Sequence, residues 1–289
     1  MTPLVLPAPA KLNLFLHITG RRTDGYHTLQ TVFQLLDYGD TLHFSPANEL
    51  QFTCSDPRLE TADNLVVKAA RLLQSRVPQA KGCRIHLDKK LPTGGGLGGG
   101  SSNAATTLLA LNQLWEGGLQ RDELAALGLQ LGADVPVFVH GNTAWAEGVG
   151  EKLEPLNLPE DWFVVLTPPC QVSTARVFGH SELTRNSVPL RIRAFPFPGS
   201  KNDCESVTCL LYPEVRTALD WLGQQVGPAA VGRGPGMTGT GSSIFARFTS
   251  REQATAVLNS KPLSLGGFVA RGINVSPLLS VNNWGVAKR

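Results

Sequence analysis

Residues 89–115 read KKLPTGGGLGGGSSNAATTLLALNQLW, with six glycines in the seven positions 94–100. Glycine loses more conformational freedom on folding than any other residue and brings no side chain to a core, so a run this dense needs a backbone reason. Ordered, it lets the main chain turn its N–H groups inward and approach a ligand closely, and the positive end of a following helix adds attraction for an anion. The segment before it, CRIHLDKK, reads as a strand. After it, Ala104, Leu108, Leu111 and Trp115 fall on one helical face behind two serines. Strand, glycine loop and helix together predict a phosphate-binding element; a glycine-rich surface linker would have neither the strand nor the capped helix.

Two familiar phosphate loops fail on their details. The GxxxxGK[ST] loop finds its glycines at Gly94 and Gly99, but Gly100 stands where lysine is required. GxGxxG is met by Gly94, Gly96 and Gly99, with Glu116 at about the right distance. However, Lys89, Lys90 and Pro92 separate strand from loop, and Glu116 precedes another helix where that fingerprint wants the end of a parallel strand.

Around this element the chain predicts an α+β fold, strands and helices mixed without a regular βαβ repeat. In KLNLFLHITG, Leu12, Leu14, Leu16 and Ile18 point one way and Lys11, Asn13, Phe15 and His17 the other, as in a half-buried strand. RRTDGYH is a turn through Asp24 and Gly25, and TLQTVFQLL, DTLHFS and ELQFTC are further strands of an antiparallel sheet. Helices are expected at DNLVVKAARLLQSR, RDELAALGLQLGADVPVF (closing near Gly132, restarting at Asp134), TARVF, CESVTCLLYPEVRTALDWLGQQ and SREQATAVLNS. NTAWAEGVGEKLEPL reads as a hairpin, and WFVVLTPP, GMTGTGSSIFARF and GFVARGINVS supply later strands. A boundary near residues 155–161 divides the chain into domains 1–158 and 159–289. The second contains a Pro/Arg-rich connector, NSVPLRIRAFPFPGSKND, and ends in about ten residues that read as a loose tail.

Twenty-six basic and 23 acidic residues, spread along the chain, give a net charge of +3 and no electrostatic case for nucleic acid. Five scattered cysteines without a CxxC pair predict neither a disulfide frame nor a zinc site. The N-terminal segment, broken by prolines and without a basic start, is not expected to be a signal peptide, and no apolar run approaches a membrane span. A cytoplasmic protein acting on a small molecule is the expectation.

LPTGGGLGGGSSNAA resembles the phosphate loop of the GHMP kinases, whose signature is a proline, a glycine-rich run and then Gly-Ser-Ser. PAPAKLNLFLHITGRRTDGYHTLQTVF, GADVPVFVHGNTAWAEGVGEKL, KNDCESV, GTGSSIFARF and GINVSPL resemble, in chain order, the branch of that family whose substrate carries a cytidine diphosphate group. Pro235 in GRGPGMTGTG is an addition to the pattern, and the last ten or so residues match nothing in it. The resemblance implies a ribosomal-S5-like N-terminal domain joined to a ferredoxin-like C-terminal domain, with the active site in the cleft between them. It implies ATP and Mg2+ as cofactors, with a serine hydroxyl helping to hold the ion and no other metal site, and transfer of the γ-phosphoryl group to a hydroxyl of a methylerythritol unit. A mevalonate- or homoserine-type kinase is the alternative. The DGYH segment with Phe33 favours the cytidyl substrate, since a small substrate without a base needs no such aromatic pair.

Residue by residue, the resemblance implies Asp134 as the catalytic base and Lys11 as its partner, which holds and neutralises charge at the reacting centre. Read alone, Asp134 two positions before Pro136 serves as a helix N-cap, and Lys11 as a solvated charge at a strand start. Asn13 shares the Lys11 face and could meet substrate. Tyr26, His27 and Phe33 match the positions that hold the cytidine, and Thr174 and Phe178 those that close the same pocket. For ATP, the matching residues are Pro92, Thr93, Gly94, Gly95, Gly96, Leu97, Gly98, Gly99, Gly100, Ser101 and Ser102 around the phosphates, with Asn64, Lys89 and Asn103 near the adenine. GTGSS at residues 239–243 is either a plain tight turn or a second glycine turn facing the reacting centre. A non-catalytic relative on the same fold would be free to lose Lys11 and Asp134, and both are present.

Overall fold

A computed structural model describes residues 4–23, 25–190, 199–226 and 234–280. Asp24 of the expected turn, residues 191–198 of the Pro/Arg-rich connector and nearly all of the expected C-terminal tail lie outside the described residues.

The first part of the chain is built on β1 (Leu4–Arg21) and β2 (His27–Pro46), antiparallel neighbours along nearly their whole length. The two segments read separately as TLQTVFQLL and DTLHFS are this one strand, β2. Then come β3 (Gln51–Cys54), α1 (Leu65–Gln74), β4 (Cys83–Asp88), α2 (Gly99–Leu114), α3 (Arg121–Leu129) and α4 (Val135–His140). A hairpin of β5 (Ala144–Glu147) and β6 (Lys152–Pro155) follows, as expected. One edge of β2 is covered by β1; the other meets β5 at residues 31–33, a later strand at residues 35 and 36, and β4 at residues 41–46. The expectation of a purely antiparallel sheet fails at β3, which runs parallel to β4.

β1 is not half-buried. Lys11, Asn13 and His17 are as hidden as the leucines, at 2–3 % exposure. The register shifts between Pro9 and Lys11 and again between Asn13 and Leu16, and such bulges re-aim side chains locally. Beyond the second shift, Leu16 and Ile18 pack into the core of the second part, and β1 is covered on both faces. Gly39 makes the first shift possible: a Cβ there would lie 2.1 Å from the Ala8 carbonyl oxygen.

The second part contains β7 (Trp162–Thr167), α5 (Thr174–Gly179), α6 (Glu205–Leu211), α7 (Pro213–Val226), β8 (Gly236–Met237), β9 (Ile244–Phe248), α8 (Arg251–Asn259) and β10 (Gly266–Ile273). Its strand order, β10-β7-β9-β8, is that of a split βαβ, the ferredoxin-like arrangement. The expected single helix CESVTCLLYPEVRTALDWLGQQ is two, because Pro213 has no N–H to continue α6 and its ring clashes with the preceding turn; it begins α7 instead. A short α9 (Pro277–Ser280), not anticipated, follows β10.

One core lies under α1 to α4 and a second among α6, α7 and the strands of the second part. Ala10, Leu12, Leu36, Leu97, Phe163, Phe245 and Phe268 form a third that joins the two. Gly272 and Ile273 of β10 pair with Leu36 and Leu35 of β2, and Leu278 of α9 packs into the first core. The glycine loop lies at this junction.

Candidate active site

Positive φ angles at Gly94, Gly96 and Gly98 give the loop its alternating turns, and Gly98 is the left-handed N-cap of α2. Its carbonyls are held from behind. The Ser243 N–H donates to Gly95 O (3.1 Å), Thr238 Oγ1 to Gly96 O (3.1 Å) and the Lys11 N–H to Leu97 O (3.0 Å). Among the described residues no protein acceptor takes the N–H groups of residues 94–98, which leaves those donors for an anion at the head of α2. The turn at residues 239–243 therefore buttresses the phosphate loop, with Gly239, Thr240 and Gly241 lining the same cleft. Not every glycine serves the ligand. A Cβ on Gly96 would meet the Thr238 carbonyl oxygen at 2.3 Å, whereas one on Gly94 would meet nothing within 4 Å. Gly96→Ala is expected to lower stability by more than Gly94→Ala, whose cost is its positive φ alone, ~1–3 kcal/mol for such strain. Equal denaturant midpoints for the two variants would contradict this.

The cleft, of ≈ 790 Å³, brings together Lys11, Asn13, Phe33, the glycine loop and Asp134 with Tyr26, His27, Thr174 and Phe178. At its floor the buried Lys11 ammonium donates to Asn13 Oδ1 (2.6 Å) and to Gly96 O (3.0 Å), and pairs with Asp134 Oδ2 (3.1 Å). Its three N–H directions are thus filled. Lys11 lies in mid-strand, not at a solvated strand start. Asn13 is locked too: Nδ2 donates to Thr31 Oγ1 (2.9 Å) while Oδ1 accepts from Lys11. It brackets the lysine first and lines the cleft second.

Asp134 occupies the N-cap position of α4 but makes no capping bond. Its backbone is already αR (φ −85°, ψ −8°), whereas a capping side chain normally starts from an extended backbone. A helix cap does not account for it; the carboxylate, one-third exposed, faces the cleft and Lys11.

At the other end, Tyr26 is 65 % exposed and so has ring surface to give up to a base. His27 stacks on Phe178 with centroids 5.1 Å apart. Arg185, which the sequence did not single out, donates through Nε to His27 Nε2 (3.2 Å) and through Nη2 to the Phe178 and His180 carbonyls. Burial first, then the Arg185 and Arg21 charges, pull the His27 imidazole below its ordinary value. The neutral ring then carries its proton on Nδ1. Thr174 Oγ1 lies 3.1 Å from Thr240 Oγ1, tying α5 to the second glycine turn. Phe33 departs from expectation. It lies six residues beyond His27 on β2, on the order of 20 Å at the usual rise of a strand. It is 2 % exposed, with Lys11 Nζ 5.4 Å from its ring centroid. Phe33 sits with Lys11 and not beside Tyr26.

The residues matched to the adenine are already engaged by the protein. Asn64 caps α1, accepting from the Val66 N–H and donating to Leu59 O. Lys89 Nζ and Asn103 Nδ2 both donate to Asp40 Oδ2, at 2.6 and 2.9 Å. Lys89 and Leu65 nonetheless come up against Gly99 and Gly100, on the loop's other side. Pro92 abuts Gly95. Of the loop residues, Gly94, Gly96, Gly98 and Ser101 line the cleft itself.

Residues 64–142 match the family described as GHMP kinases N terminal domain, and residues 198–260 that described as GHMP kinases C terminal. The chain is 54 % identical over 285 residues to the 4-diphosphocytidyl-2-C-methyl-D-erythritol kinase of Marinobacter nauticus, covering 96 % of this chain and 97 % of that protein. It is 52 % identical to the protein of the same name from Alcanivorax borkumensis, over 99 % and 96 %. A crystal structure of 4-(cytidine 5'-diphospho)-2C-methyl-D-erythritol kinase superposes with a TM-score of 0.77 at 33 % identity, covering 94 % of this chain and all of the other. The mevalonate kinase of Methanococcus jannaschii shares the fold at 17 % identity, TM-score 0.67, over 94 % and 99 %. The chain belongs to the 4-diphosphocytidyl-2-C-methyl-D-erythritol kinases, a branch of the GHMP kinases.

Proposed function

We propose that this protein transfers the γ-phosphoryl group of ATP to the 2-hydroxyl of 4-diphosphocytidyl-2-C-methyl-D-erythritol, a step of the methylerythritol phosphate route to isopentenyl diphosphate. The observation that carries this is the single cleft with two chemically distinct ends. Lys11 and Asp134 stand beside the phosphate loop at one, and Tyr26, His27 and Phe178 at the other. Asp134 takes the proton of the attacking hydroxyl as its oxygen bonds to the γ-phosphorus and the bond to the β-phosphate oxygen breaks, releasing ADP. Lys11 and the loop N–H groups offset the negative charge that the transfer concentrates between them. Tyr26 stacks on the cytosine, and the His27 Nδ1–H is offered to an acceptor on its edge.

Among the described residues no group of three or more His, Cys, Asp or Glu side chains could hold a metal ion. Ser102 Oγ, in the first turn of α2, is buried without a partner, and Ser101 lines the cleft. These hydroxyls fit a Mg2+ ion held mainly by the nucleotide's own phosphates, whose chemistry is to neutralise phosphate charge. The division at residues 158 and 159 and a cytoplasmic location belong to the same proposal. No helix among the described residues is long and apolar enough to cross a membrane.

The direct test is ADP release with Mg-ATP and, in turn, the cytidyl substrate, mevalonate and homoserine. Activity confined to mevalonate or homoserine would overturn the proposal. Within it, Tyr26→Ala is expected to weaken the cytidyl substrate by about 1–3 kcal/mol, the scale of one base–aromatic stack. ATP affinity should hardly change, and Tyr26→Phe should retain most of the binding. Unchanged substrate affinity in the alanine variant would remove the stacking role.

A further inference from the structure

Asp40, near the middle of β2, is a carboxylate with a fully buried side chain. Four donors converge on it. Oδ1 accepts from the Lys90 and Leu91 N–H groups (2.7 and 2.8 Å), and Oδ2 from Lys89 Nζ (2.6 Å) and Asn103 Nδ2 (2.9 Å). Residues 89–91 lead into the glycine loop, and Asn103 lies in the first turns of the helix leaving it. A single side chain from a different strand therefore grips both ends of the loop. Only an ionised carboxylate matches this set, because it is acceptor-only, with about four lone-pair sites for four donors. An amide would turn its own N–H2 toward Lys89 and Asn103.

We propose that Asp40 is a positioning residue for the nucleotide. Resting on the kinase function argued above, it fixes the span of the phosphate loop so that ATP meets a loop already ordered. A run of six glycines has little side-chain packing to define its shape, and a loop ordered only on binding subtracts that ordering from affinity. Lys89, only 10 % exposed, acts through Asp40 and not as an independent anchor for ATP. The cytidyl end of the cleft makes none of these contacts, so its affinity is separate.

The test uses the full chain, Mg2+ and adenylyl imidodiphosphate, with binding of the cytidyl substrate measured in parallel. Asp40→Asn is expected to weaken the ATP analogue by about tenfold or more and the cytidyl substrate by less than twofold. Lys89→Met should weaken the analogue too, and the double variant should be no worse than Asp40→Asn alone, the non-additivity expected of residues acting as one unit. Multiplying losses, or equal losses at both ends of the cleft, overturn the proposal. Should Asp40→Asn fail to fold, Asn103→Leu removes one donor from the same carboxylate. Amide hydrogen exchange at residues 94–98, without nucleotide, should then quicken, and unchanged exchange overturns the proposal. A wild-type protein that binds no ATP analogue would refute the kinase function itself, whereas wild type and Asp40→Asn binding it equally would refute only the role of Asp40.

Discussion

Asp134→Asn is expected to reduce phosphoryl transfer by on the order of 10²–10⁴-fold, the usual contribution of a positioned general base, while leaving the fold and both binding affinities close to wild type. The structure isolates the chemical role. Asp134 makes no capping bond, so α4 loses nothing that the carboxylate supplied. The amide keeps an oxygen for Lys11, whose other two donors stay with Asn13 and Gly96. Only the capacity to accept the hydroxyl proton goes. Single-turnover ADP formation with both substrates saturating measures the step, and thermal unfolding checks the fold. Turnover near wild type would remove Asp134 from the chemistry.

Lys11→Met is the second large effect, and it should show in two observables. Turnover is expected to fall by about 10²–10³-fold, the scale for removing one preorganised charge-stabilising donor, with a smaller loss of ATP binding. Unlike Asp134→Asn, this change should also lower stability. Asn13 Oδ1 and Gly96 O both lose the ammonium and are left to share the one Thr238 hydroxyl proton, at 3.5 and 3.1 Å, and a buried polar group left unpaired costs about 1–3 kcal/mol. A loss confined to the Michaelis constant for ATP would instead make Lys11 a phosphate anchor. Deciding between the two therefore requires kcat and KM separately, with the unfolding midpoint beside them.

What the sequence conveyed well was local. The glycine loop is continuous in the chain, with strand, glycines and helix in order, and its alternating turns follow from glycines that adopt positive φ. The break at Pro213 is just as local, proline's missing N–H being a property of one residue, yet the periodicity on either side reads as a single helix. Asp134 was legible only as a choice, because an aspartate before Val-Pro suits a cap or a base; the αR backbone that decides it is a fact of three dimensions. The burial of β1 was not readable, because alternation shows that one face is apolar and cannot show that the polar face is covered by another part of the chain.

Asp40, Thr238 and Arg185 escaped for a related reason. Each acts on a partner far away in sequence: Asp40 on Lys89, 49 residues on, Thr238 on Gly96, 142 residues back, and Arg185 on His27, 158 residues back. Asp40 in DYGDT carries no spacing signal. The resemblance groups Phe33 with Tyr26 and His27 around the cytidine, but an extended strand carries residues apart quickly.

The anchoring of the loop carbonyls has a consequence for how the protein comes into being. Thr238 and Ser243 hold Gly96 and Gly95 from a segment translated about 140 residues later than the loop. A nascent chain that has emerged only as far as the hairpin of β5 and β6 carries the residues of the first core except Leu278 and Ile273, yet its glycine segment still lacks those two restraints. Competence to grip a nucleotide therefore arrives late in synthesis, when the second part docks. A truncated product is poorly equipped to sequester ATP or turn it over idly.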